Sequence, residues 1–208
     1  IGTIKSREGR DIIYFNYHDS YKILPTHFHI LNLQKIPKLL KIISKELLNK
    51  TSFESLNLFY HIRLRDMSYS FYIKHIKKKL IESNFTGNLI IDYPYNIDWL
   101  DQYSGIHYKS YSIKNVNYKK KPSILYSASC HNLKDIQLCN HRPFDFILLS
   151  PVLESQYNSS PIGWQEFSNL SKLSYKPTLA LGGTNSRNED LSMCIKNDGF
   201  GLSGIRFL

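Results

Sequence analysis

No apolar run among the 208 residues reaches the roughly 18 that a membrane-spanning helix needs, so no membrane partner is expected. No secretory pattern opens the chain, and its first residue is Ile1 rather than Met, as in a trimmed or excerpted product. Cysteine is scarce. Cys130, Cys139 and Cys194 form neither a close pair in sequence nor a metal-type spacing. An odd count at wide gaps argues against a disulfide framework and points to reduced thiols in a cytoplasmic compartment. Internal repeats and low-complexity linkers are also missing, which leaves a chain long enough for one domain with a substantial core.

Acidic side chains are in short supply: 17 Asp and Glu face 27 Lys and Arg, a net charge of +10. Much of the excess sits in "KHIKKKL" (Lys74 to Leu80) and "NYKKKP" (Asn117 to Pro122). On a helix, Ile73, Ile76 and Leu80 share one face and leave Lys74, Lys77 and Lys78 to water. No nucleic-acid motif accompanies these lysines, so the charge reads as a solvated surface and no nucleic-acid partner is expected.

What the chain does have is a β/α rhythm. "HFHILNL" (His27 to Leu33) reads as a first strand, and "IPKLLKIISKELLNK" (Ile36 to Lys50) as a helix, with apolar Ile36, Leu39, Leu40, Ile43 and Leu47 at helical spacing. Strands follow at Leu56 to Leu64, Asn88 to Tyr93, Gly105 to Lys109, Ser123 to Ser129, Phe144 to Val152, Thr178 to Gly183 and Phe200 to Phe207. Helical segments fall at Phe71 to Ser83, Asn96 to Tyr103, Asn132 to Cys139, Gly163 to Ser174 and Asn188 to Asp198. Several strands are continuously apolar, as strands covered on both faces must be. Eight such units predict a compact α/β fold, an eight-stranded parallel β/α (TIM) barrel over residues 26–208. Residues 1–25 stand outside the rhythm as an N-terminal extension, in which Asp11 to Tyr17 reads as a short strand or a lid.

Barrels of this kind carry their sites at the C-terminal strand ends. Those ends hold Arg63 and Arg65, Asp92, His107 and Lys109, Ser129 and His131, Gly182 and Gly183, and the segment Ser203, Gly204, Ile205. Backbone amides after the last two strands of such barrels commonly cradle a phosphate, and a glycine there leaves room for it. A phosphate at Gly182–Gly183 is therefore expected.

The ordered segments "IRLRD", "LIID", "SGIHYKS", "SASCH", "FDFILLSPVLES", "SPIGWQEF", "KPTLALGGTNSRNEDL" and "GFGLSGIRF" resemble the thiamine phosphate synthase/TenI superfamily from about Thr26 to Leu208. The resemblance implies a compact β/α barrel. It also implies a thiazole phosphate held by Gly182, Gly183, Ser203, Gly204 and Ile205, and a pyrimidine methyl diphosphate joined to it with the help of Mg2+. Arg63, Arg65 and Ser129 become substrate-binding candidates, His131 an acid/base candidate, and Asp92 a metal ligand.

The sequence also departs from that pattern. Met67 stands where the family has Lys, and Asp92-Tyr93 replaces Asn-Asp. Lys109-Ser110-Tyr111-Ser112 replaces Gly-Gln-Glu-Asp, and "ESQYNSSPIG" lacks the usual Lys. Three readings stay open: a divergent or TenI-like member that still binds a thiazole phosphate, a working synthase with Mg2+ on Asp92 and Asp66, or a non-catalytic regulator that keeps the phosphate pocket. Association with a second copy also stays open.

Overall fold

The computed structural model describes residues 2–5, 11–17, 20–24, 35–44, 47, 51, 53, 59–63, 72–92, 103–116, 120–121, 123–154, 160–185 and 187–205. The chain divides into two units, Ile1–Lys35 and Ile36–Leu208. The first holds an antiparallel three-stranded sheet in the order β1 (Gly2–Lys5), β2 (Asp11–Tyr17), β3 (Ser20–Leu24). The segment expected as strand or lid is thus its central strand, paired Tyr14 to Gly2 on one side and to Ile23 on the other.

The second unit is a closed parallel barrel of eight strands: β4 (Leu39–Ile43), β5 (Phe59–Ile62), β6 (Asn88–Asp92), β7 (Gly105–Tyr108), β8 (Leu125–Cys130), β9 (Phe146–Leu149), β10 (Thr178–Leu181) and β11 (Gly201–Gly204). β11 pairs β4 and closes the ring, with Ser203 opposite Leu40. The predicted barrel class is correct, but its first strand is not the predicted one. Leu39–Ile43 forms a barrel strand, not part of a helix over Ile36 to Lys50. The expected strand at His27 to Leu33 and the helix at Asn96 to Tyr103 lie outside the described residues.

Strand alternation splits the side chains into two sets. Ile43, Tyr60, Ile62, Leu89, Ile91, Ile106, Tyr126, Ala128, Ile147, Leu149, Ala180 and Leu202 face the surrounding helices. They pack there with Ile76 and Leu80, Ile136 and Cys139, Phe167 and Leu170, and Cys194. These residues come from a π-type turn (Tyr72–Lys77) leading into α1 (Lys78–Glu82), and from α2 (Leu133–Asn140), α3 (Gly163–Leu173) and α4 (Asn188–Lys196). The other parity lines the barrel, where Leu40, Ile42, Ile90, Phe146, Leu148 and Leu179 fill the interior.

α2 shows how local chemistry sets an element. The Asn132 side chain accepts from the Asp135 N–H at 3.0 Å, and the Asp135 carboxylate accepts from the His131 N–H at 2.9 Å. This reciprocal cap satisfies two backbone donors and starts the helix directly after β8. The three cysteines are free and buried. Among the described residues no helix is long and apolar enough to cross a membrane.

Candidate functional site

The inward-facing positions turn polar toward the C-terminal strand ends. β5 contributes His61, β6 Asp92, β7 His107 and β8 Ser127 and Ser129. His61 Nε2 lies 2.7 Å from Asp92 Oδ1, so its N–H donates to the carboxylate. Lys109, just past β7, places Nζ 3.5 Å from Asp92 Oδ2. That is close enough for ion pairing, but Asp92 Oδ2 accepts no hydrogen bond from the described residues. Burial favours the neutral acid at Asp92. The His61 hydrogen bond and the positive charges nearby outweigh it and hold the carboxyl below its ordinary value.

His107 is buried beside this dyad, its ring centroid 4.5 Å from that of His61. Nδ1 meets Ser127 Oγ at 2.9 Å and Nε2 meets Ser129 Oγ at 2.7 Å. A hydroxyl can donate or accept, so the two serines satisfy a neutral ring in either tautomer. Burial, reinforced by the charges of His61, Lys109 and Arg63, pushes the His107 pKa well below its usual value. His107 is therefore an inward structural histidine, and it holds Ser129 in place. Arg63 is half-buried, and its backbone N–H donates to Ile43 O at 2.9 Å.

His131 sits at the rim. Its Nδ1 lies 2.9 Å from Ser150 O, so Nδ1–H donates to that carbonyl and ties the β8 loop to the β9 loop. Ser150 Oγ lies 3.2 Å from the same Nδ1.

The glycine turn after β10 has two structural demands. Gly182 and Gly183 adopt φ of +98° and +70°, the left-handed region that side chains disfavour. A Cβ on Gly183 would meet Glu154 O at 2.5 Å and Leu153 Cβ at 2.6 Å. The turn is bound to that loop by Val152 N–H to Leu181 O at 2.9 Å and Leu153 N–H to Gly182 O at 3.0 Å. Gly183 therefore clears space for the neighbouring loop, whatever else it does. Next to it, Thr184 Oγ1 donates to Ser203 O at 3.0 Å and Ser203 Oγ donates to Leu40 O at 3.2 Å. The Ser203 hydroxyl is thus committed to the barrel wall. Gly182–Gly183 and Gly204–Ile205 end adjacent strands, and the structure brings them together. Among the described residues, the backbone N–H groups of Gly183 and Thr184 have no hydrogen-bond partner.

Arg65 lies outside the described residues, as do Asp66, Met67 and Tyr93. His61 carries no distinctive signal in the sequence. Its signal is a lone histidine within the apolar run "LFYHI", which also fits a satisfied core residue, and its partner is 31 residues away.

The donor set at Asp92 does not fit magnesium. One carboxylate oxygen takes the His61 N–H and the other faces an ammonium, whereas a hard cation wants several free oxygen ligands. Ser112 Oγ donates to Lys109 O at 2.7 Å within its own turn. Among the described residues no group of three or more His, Cys, Asp or Glu side chains is placed to hold a metal ion.

A family model described as thiamine monophosphate synthase matches residues 60–203. A protein of Aquifex aeolicus named putative thiamine-phosphate synthase 2 is 27% identical over 134 residues, 61% of this chain and 69% of that protein. The structure of thiamine phosphate pyrophosphorylase from Pyrococcus furiosus superposes with a TM-score of 0.58 at 16% identity, over 83% of this chain and 87% of the other. FabK from Thermotoga maritima superposes with a TM-score of 0.60 at 8% identity, over 84% of this chain and 60% of the other, a likeness of barrel fold alone. The family match runs from Tyr60 in β5 to Ser203 in β11, well over half of the chain, so the chain belongs to the thiamine monophosphate synthase family.

Proposed function

We propose that this chain binds a thiazole phosphate at the β10–β11 strand ends and acts in thiamine biosynthesis with a transferase or TenI-like activity that does not run through a magnesium–carboxylate cluster. The observation that carries the reading is the pair of backbone donors at Gly183 and Thr184 that have no partner among the described residues, beside Gly204 and Ile205 at the end of the adjacent strand. Backbone N–H groups converging at this corner of the barrel are what a phosphate requires. The names of the Aquifex and Pyrococcus relatives support the ligand class.

Two cations face the same mouth from other strands. Arg63 and Lys109 both lie near enough to His107 to oppose its protonation. They supply positive charge where a pyrimidine diphosphate or its departing diphosphate would need it. Arg63 also offers a planar fork suited to two phosphate oxygens. His131, with Nδ1 fixed by Ser150, holds its ring in a set orientation and leaves Nε2 as the candidate acid/base atom.

Calorimetric titration of thiazole phosphate into the protein in EDTA tests this reading. Binding is expected without added metal, and Mg2+ should change the affinity by less than about twofold, because the ligand meets N–H donors and not a metal. Binding seen only with Mg2+ would overturn it and favour a rearranged magnesium site in a working synthase.

A further inference from the structure

We infer that Thr184 is a positioning residue for the ligand phosphate: its side-chain hydroxyl locks the turn after β10 to β11, so that the backbone donors stand in place before the ligand arrives. The inference rests on the phosphate reading above and deepens it, from the atoms that receive the phosphate to what holds those atoms.

A turn that binds through backbone N–H groups has a built-in difficulty. Its donors must stay free of protein partners, and backbone with few bonds opens easily. Ordering the turn at the moment of binding would then weaken the complex. Here the residues around the free donors are each tied down through another atom. Before them, Gly182 O accepts from the Leu153 N–H at 3.0 Å. After them, the Asn185 N–H donates to Asp190 Oδ2 at 2.7 Å, so the free donors on this side end at Thr184. Between these two ties stands the Thr184 side chain, whose Oγ1 donates to Ser203 O at 3.0 Å.

The Thr184 bond differs from the other two in direction. They hold the turn to the β9 loop and to the first turn of α4. The Thr184 bond crosses to β11, 19 residues on, just beyond the point where Leu181 pairs Ser203. Ser203 is itself braced on β4, since its Oγ donates to Leu40 O at 3.2 Å. Two hydroxyls thus carry the tie from the turn through β11 to β4, across the seam where the barrel closes. Thr184 is 3% exposed and Ser203 0%, so these bonds are shielded from competing water. The side chain takes the structural bond and leaves the N–H of the same residue to the ligand. A valine there would keep the branched shape and the N–H and lose the tie.

The test compares three variants with the unsubstituted protein, each titrated calorimetrically with thiazole phosphate in EDTA and unfolded in urea. Thr184→Val is expected to bind about five- to tenfold more weakly, the effect of one lost hydrogen bond, while still folded under the conditions of the titration. Thr184→Ser keeps the hydroxyl and should bind within about twofold of the unsubstituted protein, even though the missing methyl lowers its urea midpoint. Thr184→Ala lacks the hydroxyl and should match Thr184→Val in affinity. At saturation the Gly183 amide proton should lie less far downfield in Thr184→Val than in the unsubstituted protein, because its N–H is aimed less well at the phosphate. Unchanged affinity in Thr184→Val, a loss in Thr184→Ser equal to that in Thr184→Val, a Gly183 resonance at the same position in both proteins, or loss of fold in both hydroxyl-free variants would overturn the inference and leave the phosphate site standing. Failure of the unsubstituted protein to bind thiazole phosphate would remove the phosphate reading and this one with it.

Discussion

Gly183→Val is expected to destabilise the barrel by about 3–5 kcal/mol, because it combines a strained backbone with a clash that cannot relax cheaply. At φ +70° a β-branched side chain is a steric outlier. Its Cβ would stand 2.5 Å from Glu154 O and 2.7 Å from Leu153 C, both backbone atoms of the loop after β9. That loop is itself fixed to the turn by two hydrogen bonds, so it cannot step aside without releasing the ends of β9 and β10. In a barrel of this size the loss corresponds to a melting temperature lower by roughly 10 °C. Gly183→Ala should shift it in the same direction by less. A melting temperature unchanged in Gly183→Val would contradict the packing described. The expected distortion of the turn also means that weaker ligand binding in this variant would say nothing about the phosphate site.

Asp92→Ala should lower stability by a similar amount, about 3–5 kcal/mol, for a different reason. It removes the anion from a buried pair and leaves the His61 N–H without an acceptor and Lys109 without its counter-charge. Replacing both partners, as in His61→Leu with Asp92→Leu, should recover much of the loss, since an apolar pair of suitable volume often matches a buried ionic one. The pH dependence has a definite sign. The folded pKa of Asp92 is below its unfolded value, so its stabilisation is complete above about pH 4 and is lost as pH falls through the folded value. His107 adds an earlier stage. Its folded pKa is also depressed, so stability begins to fall below about pH 6.5, where the unfolded chain takes up the proton and the folded ring does not. Urea midpoints measured from pH 8 to pH 3 check both stages, and Asp92→Ala should lack the lower one. A fully stable Asp92→Ala variant with an unchanged acid limb would show that the dyad contributes nothing to the fold.

The barrel was legible because most strands lie between helices and read as short apolar runs bounded by turn residues, as at Thr178–Leu181 and Phe146–Leu149. Leu39–Ile43 escaped for a physical reason. Lys41 interrupts its apolar run, and Ile36, Leu39, Leu40, Ile43 and Leu47 happen to satisfy helical spacing, which short segments cannot distinguish from a strand. The strand-end positions of Gly182, Gly183, Ser129, His131 and Asp92 followed from the rhythm, but their partners did not. That the Ser203 hydroxyl serves Leu40, that Gly183 packs on Leu153 and Glu154, and that Asp92 is matched by His61 are consequences of barrel closure across large sequence separations. A local pattern carries no record of them.

The central claim is that backbone donors at the β10–β11 corner hold a ligand phosphate. The most direct test is the amide 1H–15N spectrum of the protein titrated with thiazole phosphate in EDTA. The account predicts that the Gly183 and Thr184 resonances move downfield and saturate with the binding isotherm, as N–H groups do on gaining a charged acceptor. Saturable binding that leaves both resonances unmoved would contradict it.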